Sequence, residues 1–216
     1  MPKSPGGFFL TFEGPEGSGK TTQIVRLAGH LRAMGKTVVQ SREPGANGFG
    51  NAVRSLLLDH SSENLEPLTE LFMMLAQRTE HLQKVIGPAL QQGQVVLCDR
   101  YLDSSIAYQG YGRGLSRDFV MNLHLECLGP CLPHATILMD IPPEVGLQRA
   151  RHQGRKQLDR MEDQALEFHA RVREGYLTEA RRNPERFIVI DGSAPAEEIT
   201  QRLFSELAGR FPEVLT

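Results

Sequence analysis

The residues best suited to chemistry lie close together early in the chain. Gly14-Pro15-Glu16-Gly17-Ser18-Gly19-Lys20-Thr21, with Thr22 following, carries the spacing G-x4-G-K-[ST] between an apolar run and a stretch of helical periodicity. Glycines at these places let backbone N–H groups turn inward around phosphate oxygens, and the N-terminus of the following helix adds partial positive charge. Lys20 would reach the transferring phosphates of a nucleoside triphosphate, and the Thr21 hydroxyl would coordinate Mg2+. A glycine-rich turn without a ligand is the bland alternative, and the strand–helix context argues against it. The loop alone does not separate a kinase from a GTPase switch or a motor ATPase. The N-K-x-D segment by which a switch GTPase reads its base is absent from the sequence.

Other charged residues point to a second phosphorylated substrate. The run Val95-Val96-Leu97-Cys98 ends in Asp99, which fits a magnesium–water network beside the loop. Arg100 comes next, and its forked donors suit an acceptor phosphate, with a surface ion pair as the competing reading. Arg149, Arg151, Arg155, Lys156 and Arg160 fall within twelve residues, interrupted by His152-Gln153-Gly154. A solvated helix face is the usual account of such a run. The Gly154 break and the position after the fourth apolar run point instead to a mobile lid over about 149–162, which could bring arginines onto a transferring phosphoryl group and exclude water. Cys127 and Cys131, flanked by His124 and His134, raise a zinc site. Against it, Val120, Leu123 and Cys127 share one helical face, Gly129-Pro130 ends that helix between the cysteines, and the spacing matches no two-by-two ligand pattern.

These residues need a scaffold, and the apolar pattern supplies one. Five short apolar runs predict buried strands at Phe8 to Glu13, Thr37 to Arg42, Val95 to Asp99, Ala135 to Asp140 and Phe187 to Asp191. Helical spacing fills the gaps. Ile24, Leu27, Ala28 and Leu31 precede a stop at Gly35, and Leu68, Leu71, Phe72, Leu75, Leu82 and Ile86 form a stripe ending before Gly87-Pro88. Ala165, Phe168, Val172 and Tyr176 form a third helix, and Ala196, Ile199, Leu203 and Leu207 a last one. Alternating strands and helices imply a parallel sheet with right-handed crossovers, in which ligands gather at the carboxyl ends of the strands. Four of the five runs end in an acidic residue there.

The 216 residues, 40% of them hydrophobic, suffice for one α/β domain over 8–216, with Met1 to Gly7 expected to be loosely ordered. Twenty-four Lys and Arg against 26 Asp and Glu leave a net charge of −2, which argues against affinity for a nucleic-acid polymer. No apolar run is long enough for a bilayer, and three cysteines make no disulfide framework, so the reading is of a cytoplasmic protein.

The segment Asp99-Arg100-Tyr101-Leu102-Asp103-Ser104-Ser105-Ile106-Ala107-Tyr108-Gln109-Gly110, followed by Tyr111-Gly112-Arg113-Gly114, resembles thymidylate kinase of the bacterial kind, which carries DR[YF]-x-D-S-S-x-A-Y-Q-G. The resemblance continues through Phe12-Glu13-Gly14, Ser41-Arg42-Glu43-Pro44-Gly45, Arg54-Ser55-Leu56-Leu57-Leu58, Arg78 and Leu158-Asp159-Arg160-Met161-Glu162, spanning roughly Phe8 to Leu177. It implies a P-loop α/β/α sandwich with a five-stranded parallel sheet, a homodimer, and the reaction ATP + dTMP → ADP + dTDP with Mg2+. By the same resemblance Glu16 contacts the sugar 3′-hydroxyl, Arg42 and Arg100 hold the acceptor phosphate, and Arg78 bonds a thymine carbonyl. Ser105 and Gln109 face the pyrimidine edge, Tyr108 disfavours a ribose 2′-hydroxyl, and Arg54 borders the base pocket. Members with no arginine in the P-loop carry the catalytic one in the lid, which makes Arg151 and Arg155 the candidates, with Asp159 and Glu162 orienting the lid arginines.

The residues themselves add that Met74 and Arg78, four apart, flank the Leu68 to Ile86 stripe and would be aimed at a neighbouring cleft. The sequence departs from the family pattern twice. Met74 stands where an aromatic residue usually stacks on thymine, and methionine packs on a ring with less directionality. Ala46-Asn47 replaces Gly-Thr after Arg42-Glu43-Pro44-Gly45, and alanine would be strained if that backbone had positive φ. The rivals are a kinase for another nucleotide or nucleoside, and a regulatory P-loop protein that signals through a partner.

Overall fold

The computed structural model of the chain describes residues 6–60, 65–152 and 159–215. Five parallel strands, β1 (Phe8–Glu13), β2 (Val38–Arg42), β3 (Val95–Asp99), β4 (Ala135–Asp140) and β5 (Phe187–Asp191), form one sheet in the order β2-β3-β1-β4-β5. The chain runs from β1 out to β2, returns to β3, then crosses β1 to β4 and β5. The winding therefore reverses at β1, and the crevice this creates opens at the carboxyl end of that strand.

Ten α-helical segments connect and cover the strands among the described residues: α1 (Lys20–Ala33), α2 (Gly48–Leu58), α3 (Pro67–His81), α4 (Gly87–Gln91), α5 (Leu102–Ser105), α6 (Arg117–Leu128), α7 (Pro143–Arg151), α8 (Leu166–Arg182), α9 (Ala196–Arg210) and α10 (Pro212–Leu215). The alternation of β1 decides the layers. Phe8, Leu10 and Phe12 pack with Ile24, Leu27 and Leu31 of α1 and with Ile199, Leu203 and Leu207 of α9. Phe9 points the other way, into Leu71 and Leu75 of α3, Leu102, and Val120 of α6. Phe168, Val172 and Tyr176 of α8 close that second face beside Leu138. Helices on both faces of a parallel sheet give the three-layer sandwich.

Several details differ from the sequence pattern. The edge strands β2 and β5 alternate buried and open positions rather than being buried throughout, because one side of each has no neighbouring strand. In α3, Leu68 and Phe72 are 39% and 52% exposed, and the buried stripe is Leu71, Met74, Leu75 and Arg78. Gly87-Pro88 does not end this helix. A π-helical stretch, Leu82–Ile86, carries the chain into α4 through a bond donated by Gly87 N to Leu82 O, a wide turn where Pro88 has no N–H to offer. α2, which buries Gly50, Val53 and Leu57, is not among the helices the sequence pattern suggested. Its start is fixed by Asn47, whose Oδ1 accepts from Gly50 N at 2.8 Å. The positive φ in this loop falls on Gly45, at 124°, so Ala46 is unstrained and Asn47 serves as the cap.

Candidate active site

The loop from Gly14 to Gly19 leaves β1 and enters α1, with φ of 135°, 66° and 93° at Gly14, Gly17 and Gly19. Only glycine adopts such conformations without strain. α7 presses on the loop from outside. A Cβ on Gly17 would lie 2.2 Å from Gly146 O, and a Cβ on Gly146 would lie 2.2 Å from Glu16 O. The loop amides are thus held by backbone against backbone. Lys20 Nζ donates to Gly14 O, Pro15 O and Ser18 Oγ at 3.0, 2.9 and 3.3 Å. Burial and then the Arg100 charge bring the Lys20 pKa down to about 8.

Thr21 Oγ1 donates to Asp99 Oδ2 at 3.3 Å, and Asp99 Oδ1 is buried with no partner. A hydroxyl and an orphaned carboxylate oxygen beside a phosphate cradle fit Mg2+, which takes one or two carboxylates and completes its shell with substrate phosphates and water. No cluster of three His, Cys, Asp or Glu among the described residues is placed to hold a metal. Gly129, at φ 70°, closes α6 between Cys127, which is exposed, and Cys131, which is half-buried.

Two clefts meet at this loop. One, with about 1070 Å³ of empty space, is walled by Gly17 to Thr22, Asp99, Arg42 and Ala150. The other, about 700 Å³, is walled by Pro44, Leu57, Met74, Ser104, Tyr108, Gln109 and Met161. Glu16, Glu43, Arg54, Arg100 and Glu162 line both. The first is polar and phosphate-sized along its floor; the second is mostly apolar with a few convergent polar groups, as expected for a small organic ring system.

Arg100 stands at the junction, and its donors are crowded with acceptors. Nη2 donates to Glu16 Oε1 at 2.6 Å, while Nη1 reaches Gly14 O, Ser104 Oγ and Tyr176 OH at 3.1, 3.3 and 3.0 Å. Gly14 O therefore accepts from both Lys20 and Arg100. The guanidinium also lies 5.0 Å over the Tyr108 ring. Burial alone would raise the Glu16 carboxyl, but Arg100, Lys20 and the Tyr108 hydroxyl, 2.9 Å away, outweigh it and hold the pKa at about 2. Glu16 is ionised at neutral pH and prevents a net pile-up of positive charge when no phosphate is bound.

Arg78 is fully buried rather than a solvated helix charge. Its Nε donates to Glu43 Oε2 at 2.7 Å, and its Nη2 to Tyr101 O at 2.9 Å and Ser105 Oγ at 3.0 Å. Nη1 is left buried without a partner. Arg78 lines neither cleft, so this orphaned donor lies behind the wall of the cleft and not on its surface. Ser105 is spent on Arg78 and does not line the cleft; Ser104, one position earlier, does. Gln109 lines the cleft and donates weakly to Glu70 at 3.3 Å. Met74 lines it too, whereas Arg42 lines only the loop-side cleft and an adjoining hollow, where its guanidinium makes no hydrogen bond among the described residues. Arg54 Nη1 donates to Pro44 O, and burial followed by Arg42 lowers its pKa.

The basic run divides by role. Arg149 donates to Gly192 O and Ser193 O and ties α7 to the turn after β5. Arg160 is buried, donating to Leu57 O and Glu70 Oε1 at 2.8 and 2.9 Å, so it fastens the C-terminal end of the expected lid to α2 and α3. Arg151, at the end of α7, is exposed, and its side chain makes no hydrogen bond or ion pair among the described residues. Arg155 lies outside the described residues, as does most of the expected flexible N-terminus. Asp159 Oδ1 accepts from Met161 N and Glu162 N while Glu162 Oε2 accepts from Asp159 N, a reciprocal cap of the turn. Three buried carboxylates passed over as site residues, Glu13, Glu43 and Glu70, turn out to hold Arg100, Arg78 and Arg160 in place. The one signal for Glu13 was an acid at the end of an apolar strand.

Comparison with known proteins places this arrangement. A family model described as Thymidylate kinase matches residues 12–203. A thymidylate kinase of Desulfosudis oleivorans is 46% identical over 211 residues, covering 95% of this chain and 98% of that protein. One from Deinococcus radiodurans is 46% identical over 204 residues, covering 94% and 98%. The crystal structure of thymidylate kinase from Ehrlichia chaffeensis matches with a TM-score of 0.77 at 34% identity, over 94% of this chain and 100% of that one.

Proposed function

The chain belongs to the thymidylate kinase family, which phosphorylates dTMP to dTDP with ATP, and from that premise we propose how its own residues divide the work. The observation that carries the assignment is the shared wall. Glu16, Glu43, Arg54, Arg100 and Glu162 line both the phosphate-loop cleft and the more apolar cleft, and of these Arg54 and Arg100 are the cations at which phosphates entering from the two sides would meet.

On the donor side, the loop from Gly14 to Thr22 cradles the triphosphate with its backbone N–H groups, Pro15 alone having none to give, and Lys20 follows the moving charge. Thr21 and Asp99 would hold Mg2+, which when bound neutralises charge on the bridging phosphate oxygens. On the acceptor side, Arg100 and Arg42 take the monophosphate, and Arg78, which lines neither cleft here, reaches the base through Nη1 only once the bound nucleotide opens a path to it. Tyr108, bonded to Glu16, closes the sugar side; Met74 and Gln109 bound the ring. An acceptor phosphate oxygen is already a competent nucleophile, so positioning and charge stabilisation suffice without a strong base. Arg151, unengaged at the end of α7, and Arg155 are the arginines left to meet the transferring phosphoryl group.

Two further features belong to this reading. Leu68 and Phe72 on α3 and Phe119 on α6 expose an apolar face that suits a homodimer. All three cysteines are unpaired, which suits a reducing cytoplasm. Among the described residues no helix is long and apolar enough to cross a membrane.

The test is product formation from ATP and Mg2+ with dTMP, dUMP, dCMP, the ribose analogue and thymidine. Preference for dTMP is expected. Faster transfer to another monophosphate would overturn the roles given to Met74 and Tyr108, and no transfer with ATP still bound would overturn the whole assignment.

A further inference from the structure

Arg100 is the only non-glycine residue with positive φ among those described, at 69°. L-residues avoid this region, so something must hold it there. Both flanking amides are taken by the end of β1: Arg100 N donates to Phe12 O at 2.9 Å, and Tyr101 N donates to Glu13 Oε1 at 2.8 Å. The other oxygen of the same carboxylate, Glu13 Oε2, accepts from Ser104 Oγ at 2.6 Å and from Tyr176 OH at 3.1 Å. Those two hydroxyls are the acceptors for Arg100 Nη1. Glu13 is fully buried and lines neither cleft.

The direction of these bonds matters. Each hydroxyl has one hydrogen. Ser104 Oγ and Tyr176 OH also lie 2.7 Å apart, so Tyr176 passes its hydrogen to Ser104 or to Glu13 while Ser104 passes its own to Glu13; both can then accept from the guanidinium, and the chain needs an acceptor at its end. Aspartate-for-glutamate would shorten the reach, and an amide would present N–H2 to two hydroxyls already receiving donors.

We infer that Glu13 is a positioning residue that sets Arg100 against the acceptor phosphate, gripping the backbone after it with one oxygen and terminating its hydroxyl relay with the other. The inference rests on the reading of Arg100 as an acceptor-phosphate ligand. Nothing in it requires Glu13 to touch a substrate.

The experiment compares binding of dTMP with binding of thymidine, the same nucleoside without its phosphate, by calorimetry in the full-length protein. Arg100→Gln is the control for the underlying reading; it should weaken dTMP at least tenfold and change thymidine less than twofold. Glu13→Gln should show the same signature at about fivefold, with ATP affinity unchanged and the KM for dTMP raised. If Arg100→Gln discriminates and Glu13→Gln does not, the inference on Glu13 is wrong and the reading of Arg100 stands. If Arg100→Gln leaves dTMP binding intact, the reading of Arg100 itself is wrong. Equal weakening of dTMP and thymidine by Glu13→Gln would mark a merely structural residue and overturn the inference. Should Glu13→Gln fail to fold, Tyr176→Phe, which removes one arm of the relay, carries the same comparison; a phosphate-selective loss supports the inference and an unchanged dTMP affinity refutes it.

Discussion

Replacing Gly146 by alanine tests how much the phosphate loop depends on α7. The residue sits inside α7 with no positive φ, so alanine suits the backbone and on propensity alone would stabilise by about 1 kcal/mol. Space decides otherwise. The added Cβ would lie 2.2 Å from Glu16 O and 3.0 Å from Ile141 Cδ1. A carbon–oxygen contact needs about 3.3 Å, so the helix and the loop must part by roughly 1 Å, and the nearest atom belongs to backbone that cannot rotate away. Overpacking of this kind costs about 1–3 kcal/mol. Net of propensity, a loss of about 0–2 kcal/mol remains, or up to roughly 8 °C in Tm for a chain of this length. A displacement of that size at the loop amides should lower kcat about 100-fold. Gly29, exposed inside α1 with nothing within 4 Å of its added Cβ, is the control. Gly29→Ala should raise Tm by about 2–4 °C with activity unchanged. The measurements are thermal unfolding and steady-state transfer to dTMP. A Gly146→Ala enzyme with wild-type Tm and kcat would refute the claim that α7 braces the loop.

Three other perturbations follow from the same geometry. Arg151→Ala should lower kcat at least about tenfold with little change in dTMP affinity; wild-type turnover in Arg151→Ala, Arg155→Ala and the double variant would remove the lid from the mechanism. Phe72→Asp should shift the protein towards monomer in analytical ultracentrifugation, and an unchanged sedimentation profile would clear the α3 face of any role in assembly. Burial, reinforced by Asp103, pushes the Glu13 carboxyl up to about 7 from an ordinary 4.5. The native state then binds this proton more tightly than the unfolded chain does, so its contribution to stability is largest at low pH and falls as pH rises from about 4.5 to about 7. Wild-type Tm minus that of Glu13→Gln should therefore be lower at pH 8 than at pH 5, and parallel pH profiles would contradict the shift.

Continuous apolar runs locate strands well when both faces are covered, and β1, β3, β4 and β5 begin and end where the pattern placed them. The glycine spacing located the loop because its backbone demands are local. What escaped the pattern depends on contacts distant in sequence. Leu68 and Phe72 have the same chemistry as Leu71 and Leu75, and only the packing direction of α3 distinguishes the exposed pair. Arg160 looked like one more lid charge, yet it is drawn inside by Glu70, ninety residues away. Arg78 kept its charge in the interior only because Glu43 lies beside it, and no local rule pairs those two. Buried carboxylates are the common omission: each is meaningful only beside an arginine that the fold brings to it.

The sheet order has a consequence for synthesis. β1 is made first, and all six of its residues are buried in the finished protein, yet its two neighbours are β3 and β4, with β2 on the far side of β3. At about 5–20 residues per second, the strand Phe8–Glu13 waits on the order of ten seconds before β4 has been made. Its apolar side chains and open edges are uncovered for that interval. The segment that later starts the phosphate loop is thus the one most in need of protection on the ribosome, by a chaperone or by transient packing against α1. Substitutions that make β1 more apolar should lower the yield of folded protein before they alter the enzyme that results.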